Sequence, residues 1–74
     1  MMQLGTRWAV GATPPARLSS GMTDAIAEVE AQLGEVDTTQ WRWTLTWLEG
    51  HPVAELEDGT IVREGYDGSV ATER

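Results

Sequence analysis

The chain offers few side chains for covalent or acid–base chemistry, and their placement argues against an active centre. Nucleophilic catalysis needs an activated Ser, Cys or Lys with a base in reach. The 74 residues contain no Cys and no Lys. Ser19 and Ser20 stand where a helix would be capped, and Ser69 falls in a glycine-rich C-terminal stretch. His51 is the one imidazole, and it precedes Pro52 in Glu49-Gly50-His51-Pro52, which has the composition of a solvated turn. No glycine-rich phosphate loop follows a strand, and no carboxylates have the spacing of a calcium loop. One His without any Cys excludes a Cys/His zinc site and a disulfide framework. The expectation is a protein that is not an enzyme, with no cofactor and no metal.

What remains is charge. Twelve carboxylates against five arginines give a net charge of −7 and a pI near 4.3. Binding nucleic acid directly, by neutralising phosphates, is therefore not expected. Asp24, Glu28 and Glu35 project from one flank of a helical segment and Glu30 from another, with no basic residue between Arg17 and Arg42. Asp24 and Glu28 form a like-charge pair four residues apart, which costs roughly 0.2–0.5 kcal/mol. Glu55, Glu57, Asp58 and Glu64 add acid further along. Such a surface either serves solubility alone or meets a basic protein surface. Trp41, at the start of an aromatic strand, is the indole expected to stay partly exposed and to anchor a contact. The expected partner-binding residues are Asp24, Glu28, Glu35, Trp41, Glu55, Glu57 and Asp58.

Two elements must position these groups. Trp41 to Leu48 alternates large apolar and mostly polar residues, with Trp41, Trp43, Leu45 and Trp47 on one parity. This is the period of a half-buried strand, and it carries three of the four tryptophans. Leu18, Met22, Ile26, Val29 and Leu33 recur at helical spacing, Ala25 fills the stripe, and Gly34 follows as a C-cap. A helix over Ser19–Leu33 would be about 22 Å long, enough to cover the tryptophan strand from end to end. Trp8, Trp43 and Trp47 are expected beneath it.

Met2 to Val10 reads as a first strand. Val53–Glu57 and Thr60–Glu64 flank Asp58-Gly59, which predicts a two-residue hairpin setting Leu56 opposite Ile61. A four-residue loop at Glu49–Pro52 sets Leu45 opposite Leu56 and Trp47 opposite Ala54. Trp41, Trp43, Leu45, Trp47, Ala54, Leu56 and Ile61 then share the covered face. Arg42, Thr44, Thr46, Leu48, Val53, Glu55 and Val62 form the other, free to meet water or a second copy.

The expected fold is α+β, in the order β-α-β-β-β. One amphipathic helix packs on one face of a small, mostly antiparallel four-stranded sheet. Residues 1–65 form one compact domain, and residues 66–74 form a mobile tail in which Tyr66 could dock. No run of about 18 apolar residues and no basic-then-apolar N-terminus is present, so a cytoplasmic protein without membrane contact is expected. Lysine, asparagine and phenylalanine, all with A/T-rich codons, are missing, which suggests a high-GC genome such as that of an actinobacterium or its phage. The expected function is a small acidic module that binds and modulates or occludes a protein partner with a basic surface. In a phage or prophage setting that partner would be a host protein that handles nucleic acid. The alternative is a homodimeric scaffold joined through the open sheet face or edge.

Overall fold

In the computed structural model, residues 6–73 are described, and they follow the two periodicities closely at the helix. Helix α1 spans Ser20–Gln32. Ser19 is its N-cap, its Oγ accepting the Met22 N–H at 3.2 Å, and Leu33 is its C-cap. Gly34 follows at φ 62°, the left-handed conformation that closes a helix without a Cβ penalty. Met22, Ile26 and Val29 are buried, as the stripe requires.

Among the described residues the sheet has five strands, β1 (Thr6–Ala9), β2 (Arg42–Leu48), β3 (His51–Leu56), β4 (Ile61–Glu64) and β5 (Val70–Glu73). They lie in sequence order, and every neighbouring pair is antiparallel. The expected count of four strands is corrected to five, the fifth lying in the segment read as a tail. Of the expected first strand, residues 2–5 lie outside the described residues. Trp8 stands opposite Trp43, so β1 joins the edge beside β2 and runs against it.

Three tight turns set the registers, and two differ from expectation. Between β2 and β3 only Glu49 and Gly50 turn, at φ 53° and 82°. Positive φ at both positions is the type I′ pattern, whose twist matches that of the strands. Leu48 therefore faces His51, Leu45 faces Ala54, and Trp43 faces Leu56. His51 and Pro52 belong to the strand, not to the loop. This two-residue shift preserves parity, so each side chain keeps its face.

The next turn does change faces. Glu57, Asp58 and Gly59 form a three-residue loop: Leu56 N–H donates to the Thr60 carbonyl at 2.8 Å, and Gly59 N–H to the Leu56 carbonyl at 2.9 Å. Gly59 takes φ 93°, and the Thr60 amide donates to Asp58 Oδ1 at 2.9 Å. The slip of one residue turns Val62 into the core, fully buried, and moves Ile61 to the opposite face. A charge at Val62 would thus be buried in the core; Ile61 is the residue that reports on the outer face.

The third turn repeats the second. Gly65 N–H donates to the Ser69 carbonyl and Gly68 N–H to the Gly65 carbonyl, with Gly68 at φ 83°. The Ser69 hydroxyl and amide both donate to Asp67 Oδ1, and this holds the Asp67 carboxyl below its ordinary range. Thr39 does the same for Asp37 in the connection ahead of β2.

The core holds Trp8, Leu18, Met22, Ile26, Val29, Trp43, Leu45, Ala54, Leu56 and Val62. The helix lies over β4 and β5, not along β2. The β1–β2 half is filled instead by the indoles of Trp8 and Trp43, stacked with centroids 6.2 Å apart. Trp47 is corrected from core to surface: it shares the parity of Trp43 but remains 42% exposed. It stands at the hairpin end of β2, with the Arg17 guanidinium over it, 5.1 Å from the ring centroid.

Candidate protein-binding surface

The strand registers sort the charges by face. Arg7, Arg42 and Arg63 all fall on the face turned away from α1, opposite in parity to Trp8, Trp43 and Val62. Glu57 pairs with Arg7 at 3.6 Å, and Glu73 pairs with Arg63. Glu55 shares a shallow hollow of about 190 Å³ with Arg7, Arg42 and Glu57. The carboxylates of this face therefore sit among guanidinium groups, and their field is largely offset.

The helix side is different. Asp24 and Glu28 are exposed, one turn apart, along an open groove of about 490 Å³ between α1 and β5. Ala25, Val29 and Val70 give the groove an apolar floor, and among the described residues no arginine lines it. Gly21 sets how closely the helix approaches: a Cβ there would come within 3.2 Å of Val70 Cγ2. The glycine that weakens the helix by propensity is what lets its first turn rest on β5.

The seven expected residues are thus not one patch. Asp24 and Glu28 stand together on the groove, and Glu55 and Glu57 stand together among the arginines. Asp58 lies in the β3–β4 turn, accepting from Thr60. Glu35 is exposed beyond Gly34 and does not line the groove. Trp41 is half-buried and packs against the core.

Two features escaped the reading of the sequence. Glu30 turns inward, accepting the Trp43 indole N–H at 2.8 Å and the Gly11 amide at 3.2 Å. Its spacing of four from Ile26, on the border of the apolar stripe, was the available signal. The other is the end of the sheet where two hairpins meet. Tyr66 OH donates to Glu49 at 2.7 Å, and the Tyr66 ring meets His51 edge-on with centroids 4.2 Å apart. Leu48 and Tyr66 are both well exposed there.

Among the described residues, no group of three His, Asp or Glu side chains is placed to hold a metal ion. None of the described helices is long and apolar enough to cross a membrane. Fold and surface together define an α+β protein: one helix on an open five-stranded antiparallel sheet, with an acidic groove beside its last strand. No family model matches the chain, and no curated protein or solved structure matches it either.

Proposed function

We propose that this protein is a small acidic interaction module, which binds and occludes a basic surface of a protein partner through the α1–β5 flank. The observation that carries the reading is the segregation of charge. The three strand arginines lie on the far face among Glu55, Glu57 and Glu73, whereas Asp24 and Glu28 are exposed on a groove that no arginine lines among the described residues. An unneutralised pair on a chain of net charge −7 attracts and orients a cationic partner. A protein with a basic nucleic-acid groove is the kind of partner such a flank would block.

The test is affinity capture with the tagged protein from cells of the organism that encodes it, at low and at high salt. A partner retained at low salt is expected to be lost at high salt, because the Debye length shrinks from about 10 Å at 0.1 M to about 3 Å at 1 M. Asp24→Asn with Glu28→Gln should lose the partner, and Glu55→Gln with Glu57→Gln should keep it. The reverse order of the two variants would move the site to the sheet face.

A further inference from the structure

We propose that the free edge of β5 is a strand-addition site for an extended peptide segment carrying two basic residues at alternate positions. The inference rests on the reading of the α1 flank as a binding surface and names the shape of its partner. Among the described residues β5 has only β4 beside it. In an antiparallel pair, residues alternate between bonding inward and pointing outward. Gly65 N–H bonds to the Ser69 carbonyl, so with Glu64 opposite Val70 and Val62 opposite Thr72, the main-chain groups of Val70 and Thr72 point to the open edge. β5 carries neither the proline nor the lysine that blunts many edges.

The groove supplies the specificity. Val70 and Thr72 have the parity of Val62, so the groove-facing residues of an added strand would lie against the α1 flank. Asp24 and Glu28, four residues apart, are separated by about 6 Å along the helix axis. Same-face residues of a strand are about 6.7 Å apart. Two groove-facing Lys or Arg side chains, separated by one residue, therefore match the two carboxylates. Their aliphatic stems would run over Ala25 and Val29. A second copy of this chain fits less well, because it would oppose Asp24 and Glu28 to their own duplicates at a net charge of −7 each.

The test uses the full chain and two synthetic heptapeptides of one composition. In the first, arginines alternate with valine and threonine; in the second, the arginines are adjacent and so fall on opposite faces. Amide exchange and chemical shifts are read by NMR. The alternating peptide should slow exchange at Val70 and Thr72, with Ala71, already turned toward β4, as an internal reference. It should bind about tenfold more tightly than the adjacent form, and Asp24→Asn with Glu28→Gln should weaken it by a similar factor at low salt. Equal binding of both peptides at the α1 flank, with Val70 and Thr72 unprotected, would overturn strand addition but leave the acidic module standing. No perturbation of the flank by either peptide, together with no salt-sensitive partner in the capture experiment, would remove both. Protection of Val70 and Thr72 that grows with protein concentration alone would assign the edge to a second copy and overturn the basic-strand proposal.

Discussion

The indole N–H of Trp43 donates to Glu30 Oε2 at 2.8 Å, linking the most deeply buried ring of β2 to the helix that lies over β4 and β5. The same oxygen accepts the Gly11 amide from the loop after β1, so one carboxylate ties three segments together. Glu30→Ala leaves a buried indole donor without its acceptor. The expected loss is about 1–3 kcal/mol, read as a lower urea midpoint, because a buried unpaired donor carries its full desolvation penalty. Glu30→Gln keeps an acceptor oxygen and should recover much of that loss. Equal effects of the two substitutions would mean that the hydrogen bond is not what Glu30 contributes.

Trp8 and Trp43 are stacked partners in opposite hydrogen-bonding states. Both are buried, but Trp8 Nε1 has no hydrogen-bond partner among the described residues. Trp43→Phe removes ring area and also takes from Glu30 Oε2 one of its two donors, leaving the Gly11 amide. Trp8→Phe removes a similar area together with a donor that was already unsatisfied. Trp43→Phe should therefore destabilise more, by about 1–2 kcal/mol in denaturant titrations. Equal losses would show that the Trp8 indole N–H finds a partner in solution.

These two rings also mark how far the sequence could be read. Alternation at Trp41–Leu48 and the stripe from Leu18 to Leu33 are strong periodic signals, and they placed β2 and α1 to within a residue of their bounds. Parity survived a two-residue error at Glu49–Pro52 because the side-chain period of a strand is two. It failed at Asp58-Gly59, where the choice between a two- and a three-residue loop is a choice of face, and Val62 and Ile61 exchanged places. The missed strand had a visible signal: Asp58-Gly59-Thr60 recurs as Asp67-Gly68-Ser69, each followed by a β-branched residue. Trp47 could not be resolved by pattern. Its parity is that of the core, and only the placement of the helix over β4 and β5 leaves its ring uncovered.

The repeated loop gives a paired prediction. Gly59 and Gly68 both take a left-handed φ, and a Cβ at either would meet nothing within 4 Å. Alanine at each position therefore incurs the backbone penalty alone, about 1 kcal/mol. Gly59 joins β3 to β4, whose Ala54, Leu56 and Val62 are core residues, so Gly59→Ala should lower the global urea midpoint. Gly68 joins β4 to the edge strand, so Gly68→Ala should act locally and speed amide exchange at Ala71 more than at Ala54. Uniform acceleration in both variants would show that β5 unfolds only with the whole domain.

The same edge hairpin is fastened at its turn by Tyr66, whose hydroxyl donates to the Glu49 carboxylate. That bond raises the Tyr66 pKa above its ordinary 10.0, because ionisation would remove the donor and set a phenolate beside a carboxylate. A group raised in the folded state stabilises fully below its unfolded value, and that contribution is lost as pH climbs through the folded value. The contact should thus be intact at neutral pH and released only above pH 10. Tyr66 is the sole tyrosine, so the tyrosinate absorption band reports it directly. Its midpoint should lie above 10.0 in the native chain and fall back toward it in Glu49→Gln. A midpoint that Glu49→Gln leaves unmoved would show that the two hairpin turns are not joined through this bond.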